Sequence, residues 1–421
     1  MTRPASNPYL RLAALALALV SVSFAGSVTA TDSGQGPIDW PQFRGPEGDG
    51  IHPADAFPSE WPDGGLEVAW KIALGKGFSG VSAVDGVLYT QYSREGEEYL
   101  AAYDAATGDQ KWKLRLDRER PDQFGDGPRS TPTIDGNLIF AVSALGNLWA
   151  ANRASGEQVW NVDLAKEYGA KIPTWGVSAA PVVVDDLLLF NVGGRDGYLL
   201  AGFDKSTGEL KWHGGSGKPG YSLPLTITVG GIRQTIFFAG DKVVSVDPAS
   251  GAEHWSHPWS TAYDVNAAAP VFVPPDRLYI SSGYDTGASL FRLSAKDGKA
   301  AAEVVWSSRR MKNQFSSSVY YDGHIYGFDN RSLKCIVAET GEDVWRKSGF
   351  NHGSLFLVDG HLVVLGEKGK LALVEATSTS YVEKSLFQAA KGKHWTVPTL
   401  YGDLLYVRNE LELIAFKLPK S

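Results

Sequence analysis

Short runs of alternating apolar and polar residues, punctuated by Asp-Gly, Ser-Gly or Thr-Gly, recur from Val81 to the C-terminal end of the chain. Period-two alternation marks strands with one buried face, and the intervening dipeptides mark tight turns. The stretch from Val81 to Leu114 shows the unit. An alternating strand meets a turn at Asp85-Gly86, a second strand follows around Leu88-Tyr89, a third around Leu100-Tyr103, and a turn at Thr107-Gly108 leads to Trp112. This spacing predicts a four-stranded antiparallel meander.

Two features of the unit can be counted separately. The second turn and its Trp recur as Ser155-Gly156 with Trp160, Thr207-Gly208 with Trp212, Ser250-Gly251 with Trp255 and Thr340-Gly341 with Trp345, and more loosely from Asp297-Gly298 to Trp306. Gly supplies the positive φ of the turn, and repeated Trp at one place in a repeat is expected to be core. The first turn recurs at Asp85-Gly86, Asp135-Gly136, Asp185-Asp186, Gly230-Gly231, Pro275-Asp276, Asp322-Gly323, Asp359-Gly360 and Tyr401-Gly402. The Trp element fails at Thr377-Ser378-Thr379, and the last unit has no outer strand of its own. Upstream, Leu66 to Lys71 supplies one spare strand carrying Trp70. The two counts agree on eight units rather than seven. The predicted fold over residues 65–421 is all-β: an eight-bladed β-propeller of four-stranded antiparallel blades, closed by the N-terminal strand, which removes the open sheet edges.

Residues 1–30 carry Arg3 and Arg11, an apolar run from Leu12 to Phe24 and small residues ending at Ala30, the pattern of a cleaved signal peptide. The run is shorter than the roughly 20 residues a membrane span needs, and no Cys follows the cleavage point to take a lipid. A monomeric periplasmic or secreted protein without a transmembrane segment is expected. Residues 31–64, rich in Pro and Gly, read as an extended strap that Trp40, Phe43 and Trp61 pin to the propeller, with a lid over the channel as the alternative.

Loss of two arginines with the signal takes the formal charge from −7 to −9. An acidic surface argues against a nucleic-acid partner. Cys335 is the single cysteine, which excludes an intrachain disulfide, a CxxCH haem site and a cysteine-rich zinc site. HExxH, GxSxG and a dinucleotide GxGxxG are absent.

The segments YDAATGDQKW, FDKSTGELKW, VDPASGAEHW and VAETGEDVW resemble the repeats of the pyrroloquinoline-quinone (PQQ)-like superfamily, from Leu66 to Leu418. Asp39 to Pro46 is similar to a leader found before exported propellers of this kind. The superfamily includes quinoprotein alcohol dehydrogenases and an eight-bladed outer-membrane assembly lipoprotein, so the resemblance implies the fold and leaves function open.

Propeller ligands lie where loops enter the innermost strands around the channel. Aligned by repeat, those positions mix aromatics, amides, Arg and His instead of the apolar residues of the blades. The candidates are Arg129, Trp175, Asp264, Asn266, His352, His394 and Trp395, as ligand-binding residues and not as a catalytic or metal set. PQQ with calcium would need an aromatic face, cations for its carboxylates and oxygens for the metal. Trp175 or Trp395, Arg129 or Lys312, and Asp264 with Asn266 would have to supply these. Against this stand the lack of adjacent cysteines and a chain shorter than the dehydrogenases usually have. The reading is therefore a non-catalytic binding or scaffold propeller for a polypeptide or cell-envelope component. A PQQ-dependent dehydrogenase of alcohols or sugars and a small-molecule sensor or carrier are the alternatives.

Overall fold

The computed structural model describes residues 36–420, so the expected export signal lies outside the described residues. Eight sheets of four-stranded meanders follow one another along the chain, forming an eight-bladed β-propeller. Their innermost strands are Ser82–Val84, Thr133–Asp135, Val182–Val184, Leu225–Val229, Val271–Val273, Val319–Tyr321, Gly353–Val358 and Thr399–Tyr401, which define blades 1 to 8. The spare strand Glu67–Ala73 pairs antiparallel with Glu412–Lys417 and becomes the outer strand of blade 8. Ring closure thus depends on a strand some 340 residues away in sequence from its partner.

The reason for the repeated Gly and Trp is visible at each seam. In blade after blade the outer strand bulges just before its Trp, which turns that ring toward the next blade. The indole then donates to a carbonyl in the neighbour's second turn: Trp112 to Arg153, Trp160 to Lys205 and Trp212 to Pro248, each at 3.0 Å. The ring lies flat against the turn glycine. A Cβ at Gly208 would stand 2.7 Å from the Trp160 ring and one at Gly108 2.8 Å from Trp70. Gly is therefore required both by its positive φ and by the ring it touches. Trp255 is the exception: blade 5 has a long hairpin at Lys296–Lys299 in place of the turn, and the indole bonds Gln234 within its own blade. In blade 7 the outer strand Glu383–Gln388 carries Ser385 at the position after the bulge where the others have Trp; the Trp61 amide of the strap donates to its hydroxyl at 2.7 Å, and the Trp61 ring packs edge-on against Phe387.

The strap crosses the turn end of the channel. Trp40 bridges Ala83 of blade 1, the Pro41 carbonyl accepts from Ile134 of blade 2, and Phe43 packs on Ala180, Leu223 and Ala269 at blades 3 to 5. The buried Arg44 guanidinium donates to the Ser318 carbonyl beside blade 6 at 2.7 Å. Ile51–His52 then adds a fifth, parallel strand to blade 7. His52 stacks on Trp40, and burial pushes its imidazole down to about 4, so it is neutral there.

Candidate functional site

With one end of the channel closed by the strap, the other end is a blind cavity of about 520 Å³ whose floor includes Phe43. Its wall is built from the loops that carry each outer strand into the next inner strand. Phe78, Trp395 and Phe315 form one aromatic cluster, with centroids 5.0 Å (Phe78 to Trp395) and 5.1 Å (Phe315 to Trp395) apart. Trp175 and Tyr221, 6.1 Å apart, form another. Ordinary propeller packing explains neither, because both face the open channel rather than a seam.

Of the residues singled out in the sequence, Arg129, Trp175, His352 and Trp395 line this cavity together. Arg129 lies 5.7 Å over the Phe78 ring, pairs with Asp122 at 3.4 Å and donates to the Gly125 and Gly127 carbonyls. Burial holds its guanidinium below the usual range, partly offset by Asp122. Trp395 donates from its indole to Glu367 at 2.9 Å, which fixes the plane of its ring. His352 sits 5.4 Å from Phe315, and burial keeps its imidazole below the ordinary value.

The other three are not among the lining residues. Asn266 is fully buried, its amide donating to the Ala239 carbonyl and its oxygen accepting from Ser282, so it joins blades 4 and 5. Asp264 pairs with Lys218 at 2.9 Å. His394 is fully buried behind the wall, with Nδ1 3.2 Å from the Gly392 carbonyl, and burial lowers its pKa. Lys312 is held between Asp285 and Asp329.

Sequence alignment of the inner-strand entries missed Glu367, Arg331 and Tyr284, which also line the cavity. They lie in the turns between second and third strands, so each meander returns to the mouth twice. Aligning the turns between second and third strands across the repeat was the signal that would have found them. Lys393, one residue before His394, places its Nζ 4.5 Å from the Trp395 centroid and bonds the Phe124 carbonyl at 2.6 Å. With Asp122 answering Arg129, the wall retains Arg331 and Lys393 against Glu367, an excess of positive charge.

A plugged eight-bladed propeller with an aromatic, cationic mouth is the class of protein that fold and site define. The family model described as outer membrane protein assembly factor BamB matches residues 25–172 and 96–332, and the chain belongs to this family of PQQ-like repeat propellers. BamB of Shewanella oneidensis is 26% identical over 322 residues, which is 67% of this chain and 73% of that protein. The quinoprotein alcohol dehydrogenase PedH of Pseudomonas putida is 31% identical over 136 residues, 30% of this chain and only 21% of the dehydrogenase. The quinohemoprotein alcohol dehydrogenase of Comamonas testosteroni superposes with a TM-score of 0.63 at 12% identity, covering 91% of this chain and 82% of that one, a likeness of fold alone. Among the described residues no helix is long and apolar enough to cross a membrane.

PQQ held by calcium, which the dehydrogenase resemblance implies, is met only in part. Trp395 and Lys393 offer a ring and a cation, but Asp264 and Asn266, the oxygens expected to take the metal, are engaged elsewhere. Among the described residues no three His, Cys, Asp or Glu side chains gather as a metal set. The residues do not fit the calcium-bound cofactor, and no chemical step is drawn through it.

Proposed function

We propose that this protein is a non-catalytic binding propeller of the cell envelope that receives part of a polypeptide partner at the channel mouth. The observation that carries the reading is the blind cavity itself. The strap closes one end, and the open end combines apolar rings with an excess of cations. Such a site supplies burial for side chains and charge for orientation. Two of its polar groups hold the wall itself: Glu367 fixes Trp395 and Arg129 fixes the Gly125–Gly127 loop. The match to the BamB family supports a partner within the envelope.

The alternative, a PQQ-dependent dehydrogenase, draws on the ring pair Phe78 and Trp395 and the likeness to PedH. One experiment separates the two. The mature protein is titrated with PQQ, with and without calcium, and assayed for dye reduction with alcohols and aldoses. We expect no turnover. Calcium-dependent binding tighter than about 1 μM together with turnover would overturn the reading. In parallel, a photo-crosslinking residue at Phe315 should capture a polypeptide in cells, and Trp395→Ala should abolish the adduct. A crosslink that persists in Trp395→Ala would count against the cavity as the contact.

A further inference from the structure

The rim at the open end of the channel divides by charge. Over blades 1 to 4 its loops carry cations and acids together: Lys76 pairs with Glu119 and Asp126, Arg120 with Asp122, and Lys218 with Asp264. Over blades 5 to 8 the cations stand alone. Arg309, Arg310, Lys368, Lys370 and Lys391 lie in mouth loops or at the mouth end of a strand, and all five are exposed. Among the described residues none of them forms an ion pair or donates a side-chain hydrogen bond. Their backbones, in contrast, are held. The Arg310 carbonyl accepts from Lys334, that of Lys368 from Gln388 at 2.6 Å and that of Lys391 from Asn409 at 2.9 Å. The acids of the same loops are engaged, Asp285 3.7 Å from Lys312 and Glu367 with the Trp395 indole, which leaves Glu410. The chain as a whole carries a formal charge of −7, so this arc runs against its composition. Tyr284 and Leu411, 38% and 51% exposed, stand at its two ends, in the turns between second and third strands of blades 5 and 8.

We infer that this half of the rim is a docking surface for an anionic membrane, with its cations over lipid phosphates and Tyr284 and Leu411 at the headgroup boundary. The inference goes beyond the binding reading above, because none of the five cations lines the cavity. Charge complementarity selects the partner. A polypeptide is held by hydrogen bonds and pockets at fixed places, whereas an anionic bilayer offers mobile charges that gather beneath long, flexible cations wherever these stand. Five cations free of partners at three places on the rim suit the second kind of surface. An amphipathic ring such as Tyr284 is at home at the membrane–water boundary, where its hydroxyl stays wet and its face does not.

The test is co-sedimentation of the chain from Thr31 onward with vesicles of phosphatidylcholine alone or with about 30% phosphatidylglycerol, where each basic residue near the surface strengthens attachment about fivefold. We expect at least tenfold stronger partition onto the anionic vesicles, falling as salt is raised. Lys368→Glu/Lys391→Glu should lose about twentyfold or more. Lys166→Glu/Lys171→Glu makes the same change in net charge at exposed sites over blades 2 and 3 and should lose little. Both variants should melt with the parent, since all four side chains are exposed. Equal partition onto the two kinds of vesicle, or equal loss in the two variants, overturns the docking surface. Release from the vesicles by about 10 mM inorganic phosphate at constant ionic strength would assign the arc to a free anion instead. Binding of poly-glutamate that depends on Lys368 and Lys391, with no binding to vesicles, would assign it to an acidic polypeptide. In any of these cases the crosslink at Phe315 still decides the cavity reading separately.

Discussion

Single side chains hold the seams of this propeller, and their energetic weight can be measured. Trp212 is 7% exposed, with its indole bonded across the seam to Pro248. Trp212→Ala should cost about 3–5 kcal/mol in urea denaturation, the usual range for deleting a large buried aromatic ring. A loss under about 1 kcal/mol would mean that the ring does not hold the seam. Glu98 gives a second test. Its carboxyl is fully buried at the seam of blades 1 and 2, accepting from the Ala144 backbone at 3.0 and 3.3 Å. Burial, helped by Asp117 and Glu119 and opposed by the Ala144 amide and Arg129, pushes it up to about 8. The folded protein therefore keeps a proton that the unfolded chain releases near its ordinary value of 4.5. That contribution to stability is complete below the unfolded value, declines by about 1.4 kcal/mol per pH unit as pH rises, and is exhausted above about 8. Glu98→Gln should flatten the slope in melting temperature between pH 5 and 8, while an unchanged slope would remove Glu98 as its source.

At the scale of elements, the chain was legible where repetition averaged over local noise. Eight first turns and their accompanying Trp elements marked the blades, and Leu66 to Lys71 stood out as a strand lacking a local partner. The structure supplies that partner at Glu412–Lys417. A chain beginning at Ala73 should melt well below one beginning at Thr31, because blade 8 would keep an open edge. A chain beginning at Leu66 retains the closing strand and loses only the strap. It should melt between the two, since Trp40, Arg44 and the Ile51–His52 pairing would be gone. Equal melting temperatures for the two truncations would place ring closure elsewhere. The candidate site was less legible. Alignment of inner-strand entries found Arg129, Trp175, His352 and Trp395 on the wall, yet the same rule led equally to Asn266 and His394, which face into the fold. A polar residue at a loop end looks the same in sequence whether it lines a channel or satisfies backbone groups behind it.

Across the whole molecule, an acidic protein presents a locally cationic mouth. Association of an acidic peptide should weaken several-fold between about 0.05 and 0.5 M salt as screening shortens the reach of Arg331 and Lys393. An uncharged, amidated peptide of otherwise the same sequence should change little, and an equal salt response from both would argue that these cations do not read the ligand. The repeat alone determined the all-β class, the number of blades, the seam tryptophans and the strand that closes the ring. Those properties follow from period-two burial and from turns that need Gly, and each is written in a few neighbouring residues many times over. Only the tertiary structure decided that the strap plugs the channel, that the turns between second and third strands join the inner-strand entries at the mouth, and that Phe124, Trp175, Tyr263 and Tyr284 from separate loops come into contact. These depend on how the ring brings together loops that occur once each, and a residue that occurs once carries no repeat against which to read it.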